Sequence, residues 1–198
     1  HLGAQGWAVA LHYRSSAAGA EATAATIQAA GGKTAWVQAD LASEQDVQGL
    51  MAQATNGLGM PLTALINNAS AFQYDSAESA TRDSWDAHME PNLRAPLVLS
   101  QALAAQAPSS GGAIINMIDQ RVRKLTPEFM TYTIAKMGLW AFTQTAAQSL
   151  APNVRVNAIG PGPTLQGARQ SAEHFAAQRR NTILQRGAET NDINNALG

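Results

Sequence analysis

The stretch GAIINMIDQRVRKLTPEFMTYTIAKMGL, residues 112–139, decides the fold. Residues 113–117 have the near-continuous apolar character of a strand buried on both faces, and that strand runs out into Asp119. Residues 131–150 read as a helix. Tyr132 and Lys136 lie four positions apart on one face of it. A second β-rich run, VRVNAI at 154–159, follows the helix. Strand, helix, strand is the unit from which parallel sheets are built.

The same alternation extends toward both ends. WAVALHY (7–13) and TAWVQA (34–39) are strand-like, and between them the Ala-rich segment 17–30 reads as a helix stopped by Gly31-Gly32. Ser43 with Asp46 makes a capping-box start for a helix through about residue 54. LTALI (62–66) is another buried strand. A long helical stretch covers 82–106, and Pro91 and Pro96 make it irregular or broken. PGPT (161–164) is a loop, and helical patterns at 169–181 and 190–197 follow. No repeat or linker marks a second domain. The expected fold is one α/β domain over residues 1–198, a doubly wound parallel sheet with helices on both faces.

Composition narrows the function. A chain of 198 residues, 45% hydrophobic, is long and apolar enough for one globular domain. Net charge is −1 and no Lys/Arg block is present, which gives no electrostatic case for nucleic acid or a membrane surface. The absence of cysteine excludes disulfides and thiolate chemistry, and a cytoplasmic location is expected. No apolar run has transmembrane length, and no signal peptide or metal-ligand spacing is visible. The sequence opens at His1 inside a helix or turn and stops after a helical pattern, so the domain is expected to be incomplete at both ends.

In parallel α/β sheets ligands bind at the carboxyl ends of the strands. That rule selects residues 12–16, 40–41, 67–72, 117–120 and 160–164. A lysine ammonium beside a phenol favours phenolate, so Tyr132 and Lys136 are candidates for proton transfer. INNAS (66–70) closes one strand with two amides and small residues, which let a flat ligand approach the backbone. NAIGPGPT (157–164) closes another with glycine and proline. Tyr-x-x-x-Lys alone is a weak signal, and a solvated helix surface explains it as well. His12 reads as structural or near an adenosine, and His88 and His174, in helical segments, are expected to be exposed.

The strand order, Asn-Asn-Ala at 67–69, Tyr132 with Lys136, and Pro161-Gly162 together resemble the short-chain dehydrogenase/reductase family, Rossmann-fold oxidoreductases that use NAD(P). The resemblance runs over essentially the whole chain, from the family's second strand to the helix after its sixth. It implies Tyr132 as catalytic acid, Lys136 as the residue that lowers its pKa and holds the nicotinamide ribose, and Asn92 as support for a proton-relay water. It also implies cofactor contacts at Asp40, Leu41, Asn68, Ala69, Pro161 and Gly162. The family's first strand, its glycine-rich phosphate turn and its closing strand have no counterpart in this sequence.

One position departs from most of the family. A serine usually stands near the end of the fifth strand, and here Asp119 stands there. A hydroxyl can donate to a carbonyl oxygen, whereas an ionised carboxylate only accepts. Asp119 therefore suits a nitrogen heterocycle better than a ketone. The pteridine reductase branch resembles this arrangement: it carries Asp in that place, a serine like Ser70 that contacts the pterin, and an aromatic ring like Phe72 that stacks on it. Arg14 and Ser15 stand where an NAD enzyme carries an acidic residue, which implies NADPH. The implied activity is NADPH-dependent reduction of a dihydropterin or dihydrofolate. A carbonyl or sugar reductase and a non-catalytic Rossmann scaffold remain as alternatives. The small residues Ala135, Gly138, Ala141, Ala146 and Ala147 permit close helix approach. With the family's habit, they lead us to expect a homotetramer, with a dimer second.

Overall fold

The computed structural model describes residues 1–167 and 170–197. Among the described residues five strands and seven α-helices follow in order: β1 (Val9–Tyr13), α1 (Ala17–Ala29), β2 (Thr34–Gln38), α2 (Glu44–Leu58), β3 (Ala64–Asn67), α3 (Arg82–Met89), α4 (Ala95–Gln106), β4 (Gly112–Met117), α5 (Met130–Ser149), β5 (Val154–Ile159), α6 (Ala172–Arg180) and α7 (Thr190–Leu197). Short 3-10 turns sit at Leu2–Gln5 and Gln120–Val122. The run expected as a strand at 7–13 starts pairing only at Val9, and the strand expected at 62–66 is shifted to end on Asn67. Of the helix expected at 169–181, residue 169 lies outside the described residues and the observed helix begins at Ala172.

Local chemistry sets the helix ends. Ser43 accepts from the Asp46 backbone N–H at the start of α2, and Gly59, at φ 63°, ends it in the left-handed conformation that glycine adopts without cost. Thr81 and Ser84 form a reciprocal capping box at the start of α3. The single helix read at 82–106 is divided: α3 and α4 are joined by a π-helical turn, Glu90–Arg94. Pro91 has no N–H to return to the carbonyl four residues back, and the ladder widens there.

All strand pairs are parallel. They form two sheets, β1-β2 and β3-β4-β5, within an α/β architecture with helices on both faces. β1 and β3 are not hydrogen-bonded to each other, and both line an apolar cavity of about 390 Å³ with Leu50, Met51 and Leu99. In the three-stranded sheet Ile66 pairs with Ile115, and Ile115 with Asn157. This register brings the ends of β3, β4 and β5 level. The core joins β2, β4 and β5 to α2 and α4, with Leu103 and Ile114 fully buried. Each such side chain contributes about 1.5–3 kcal/mol of apolar burial.

Beneath the strand ends runs a polar ladder. Asn67 Nδ2 donates to Asn116 Oδ1 at 2.8 Å, Asn116 Nδ2 donates to Thr143 Oγ1 at 2.9 Å, and Thr143 donates to the Leu139 carbonyl at 2.8 Å. It ties β3 and β4 to α5, the three elements that carry the site. No helix among the described residues is long and apolar enough to cross a membrane.

Candidate active site

The carboxyl ends of β3, β4 and β5 and the first turns of α5 converge on Tyr132. Its hydroxyl donates to Asp119 Oδ2 at 2.9 Å. Asp119 leaves β4 in extended conformation and caps the next turn, its Oδ1 accepting the Arg121 N–H at 2.8 Å. The carboxylate is thereby aimed by its own backbone. Lys136, one turn beyond Tyr132, is 2% exposed, and its ammonium donates to the Met117 carbonyl at 2.8 Å. Its Nζ lies 5.7 Å from the Tyr132 ring centre.

The electrostatics differ from the expectation that Lys136 lowers the Tyr132 pKa. Burial, followed by the charge of Asp119 and the hydrogen bond to it, pushes the phenol well above its ordinary value. Ser70 and the charge of Arg121 act in the opposite sense and are outweighed. Tyr132 is thus held protonated, as a donor. Burial also lowers Lys136 to about 8, against the pull of Asp119.

Asn92 is completely buried in the π-helical turn. Its Oδ1 accepts from the Ser70 hydroxyl and the Ala71 N–H, each at 2.9 Å, and its Nδ2 donates to the Ala71 carbonyl at 2.9 Å. This side chain holds the loop that presents Ser70 and Phe72. Phe72 stacks on Phe129, ring centres 4.3 Å apart and planes 11° apart, and meets the Tyr132 ring edge-on at 4.7 Å.

The remaining candidates sit at neighbouring strand ends. Arg14 and Ser15 are exposed just past β1, and among the described residues Arg14 makes no ion pair. Asp40 and Leu41 follow β2; the Asp40 N–H donates to Asp46 Oδ2 at 2.8 Å, and Leu41 is buried. Asn68 and Ala69 are exposed beyond β3, while Asn67 turns inward to the ladder. Pro161 and Gly162 follow β5, and a Cβ at Gly162 would meet nothing within 4 Å. Arg14 and Ser15 offer donors for a phosphate, and Lys136 keeps ammonium protons beyond the one given to Met117. The donor set fits a phosphorylated dinucleotide. Among the described residues no group of His, Cys, Asp and Glu could hold a metal ion.

A family model described as enoyl-(acyl carrier protein) reductase matches residues 1–197. The chain belongs to the short-chain dehydrogenase/reductase family. This short-chain dehydrogenase/reductase is similar to the FolM alternative dihydrofolate reductase 1 from Brucella canis, solved in complex with NADP, at 42% identity and a TM-score of 0.94 over 99% of this chain and 78% of that one. An uncharacterized oxidoreductase from Methylorubrum extorquens is 35% identical over 162 residues, and a dihydromonapterin reductase from an Enterobacter species is 29% identical over 141. These matches take in 81% and 70% of this chain, and it spans 64% and 58% of the two relatives' lengths.

Sequence reasoning missed part of the site of this short-chain dehydrogenase/reductase. Phe129, Tyr74 and Arg121 extend the aromatic wall: Tyr74 meets Phe129 edge-on at 5.5 Å, and the Arg121 guanidinium lies 4.8 Å from the Phe129 centre. Two signals were available, Phe129 three residues before Tyr132 and Arg121 two after Asp119. His88, expected to be exposed, is completely buried, because the α3 face that carries it packs against α5. Three of the small residues expected to allow contact between subunits serve this chain's own packing. Ala135 and Ala146 are buried, and a Cβ at Gly138 would lie 2.8 Å from Leu93.

Proposed function

We propose that this protein is an NADPH-dependent reductase of a pteridine, a dihydropterin or dihydrofolate. The observation that carries the reading is the Tyr132 hydroxyl donating to Asp119 Oδ2 beside an aromatic wall. A ketone reductase needs a donor where Asp119 stands, because negative charge develops on the carbonyl oxygen. A carboxylate there repels that charge. A heterocycle bearing ring N–H or amino groups finds in Asp119 an acceptor, and its ring nitrogen finds in Tyr132 a proton donor held in the protonated state. NADPH, when bound, supplies the hydride, delivered to a carbon of the pyrazine ring. Lys136 holds the nicotinamide ribose and offsets the negative charge left on Tyr132. Arg14 and Ser15 hold the 2′-phosphate, while Asp40, Leu41, Asn68, Ala69, Pro161 and Gly162 line the dinucleotide path. Phe72 covers one face of the heterocycle, and Ser70 contacts its edge. Asn92 keeps both in place. The similarity to a dihydrofolate reductase and a dihydromonapterin reductase supports the substrate class. A homotetramer is part of the proposal, read by light scattering.

The test is NADPH oxidation by the full-length protein with dihydrobiopterin and dihydrofolate beside a panel of simple ketones. Turnover of the pterins that is lost in Asp119→Ser supports the reading. Turnover of ketones alone replaces it with a carbonyl reductase.

A further inference from the structure

Three buried polar side chains have no part in the chemistry above: Asp75, His88 and Thr131, at 2%, 0% and 0% exposure. They come from three places: the segment after Phe72, helix α3, and the first turn of α5. The hydrogen bonds between them run in one direction only. The Gln73 N–H donates to His88 Nε2 at 2.9 Å, so Nε2 carries no proton. His88 Nδ1 lies 2.6 Å from Thr131 Oγ1. Thr131 gives its single hydroxyl proton to an oxygen, Asp75 Oδ2 with the Ser84 carbonyl as a longer second acceptor at 3.3 Å. Nδ1 must therefore be the donor to Thr131, and the imidazole is neutral with its proton on Nδ1. Burial agrees, holding His88 below its ordinary pKa. Burial pushes the Asp75 carboxyl up, but the surrounding interactions, the hydrogen bonds from Thr131 first and then one from Ser84, more than offset this and keep it ionised.

Asp75 also supplies what α5 lacks locally. Phe129, at φ 57°, precedes the helix with no side-chain cap of its own. Asp75 Oδ1 accepts the Thr131 N–H at 3.2 Å, and the Asp75 carbonyl accepts the Phe129 N–H at 2.7 Å. A carboxylate 56 residues away in sequence thus caps the positive end of the helix that carries Tyr132 and Lys136.

We propose that His88, as the neutral Nδ1–H tautomer, is a positioning residue whose two nitrogens set two parts of the site separately: Nε2 holds the Gln73 segment that carries Phe72, and Nδ1, through Thr131 and Asp75, holds the turn of α5 that carries Tyr132. This rests on the reading of the site as a heterocycle pocket. An asparagine amide occupies the place of Nδ1, whereas a glutamine amide reaches the place of Nε2. The two variants therefore separate the arms. His88→Asn keeps a donor to Thr131 and frees the Phe72 segment, so KM for dihydrobiopterin rises about tenfold, the size of one buried hydrogen bond, with kcat within about twofold. His88→Gln keeps the acceptor for Gln73 and lowers kcat instead. Thr131→Val lowers kcat, and Thr131→Ser restores it.

The direct test is a 15N-imidazole correlation spectrum of the full-length protein with NADPH, the His88 signal being assigned by its loss in His88→Asn. A protonated Nδ1 and bare Nε2 at neutral pH support the proposal; the Nε2–H tautomer or an imidazolium overturns it. Equal changes of KM and kcat in both His88 variants overturn the separation of the arms. If those variants do not fold, the Thr131 pair decides, and Thr131→Ser no better than Thr131→Val overturns it. A wild type that reduces no pterin refutes the substrate reading alone, because the tautomer measurement needs no turnover.

Discussion

Replacing Asn116 by leucine keeps the shape of a completely buried side chain and removes two hydrogen bonds, from Asn67 at 2.8 Å and to Thr143 at 2.9 Å. The two partners suffer unequally. Thr143 still donates to the Leu139 carbonyl and loses only a bond it accepted, worth about 1 kcal/mol. Asn67, 8% exposed, is left with a buried amide lacking its acceptor, at about 1–3 kcal/mol. The leucine returns about 2 kcal/mol of apolar burial. The net expectation for Asn116→Leu is a loss of about 0–2 kcal/mol. The sharper expectation is the coupling. Asn67→Leu alone strands the Asn116 carbonyl, whereas the double variant strands neither amide, so it should be about 2 kcal/mol more stable than the sum of the singles. Urea unfolding of the full-length protein measures this, provided that the slope of the transition stays constant. Additivity within about 0.5 kcal/mol refutes the view that the ladder acts as a unit.

Four further outcomes are expected. Lys136, held down to about 8, loses its ammonium above that pH, so kcat/KM falls there, and in Lys136→Arg the fall moves out of the range of about pH 7–10. Because its folded pKa lies below the ordinary 10.5, the folded state gains stability as pH rises from about 8 toward that value, while above 10 the raised Tyr132 works the other way; denaturation midpoints across this range check the sign. Phe72→Leu loses the ring proposed to cover the heterocycle, a stack that contributes about 1 kcal/mol beyond its area, so KM for the pterin rises about fivefold while NADPH affinity holds; an unchanged KM removes Phe72 from the substrate wall. Arg14→Glu raises KM for NADPH by about tenfold or more and shifts preference toward NADH, read as a ratio of kcat/KM values, because an acid there repels a 2′-phosphate that the guanidinium binds.

The strands and most helices were legible because their signals are local. Apolar runs such as 113–117 and the cap at Ser43 need no knowledge of what packs against them. The Tyr132–Asp119 contact was legible as juxtaposition, since both lie at the carboxyl side of β4 in any parallel sheet. Its electrostatics were not. The sequence spacing of Tyr132 and Lys136 suggests a lowered phenol, but how deeply the ring is buried and where the hydroxyl points decide the sign, and both are tertiary facts. His88 shows the same limit. On a helix of modest amphipathicity it reads as solvated, and only the packing of α3 on α5 buries it. Asp75 gave no signal, because its partners Thr131 and Phe129 lie more than fifty positions away.

The π-helical turn at Glu90–Arg94 has a consequence for length variation. Such a turn holds one residue more than regular helix would, and it absorbs the surplus without rotating what comes before or after. Both α3 against α5 and α4 against α2 keep their faces. Deletion of Pro91 is therefore the rare indel that both flanking helices tolerate, since it takes out the surplus residue and the missing N–H together and restores a regular helix. Asn92 does not survive the change: its grip on Ser70 and Ala71 depends on the widened turn. Related chains shortened by one residue here should keep the fold and lose this anchor for the substrate loop.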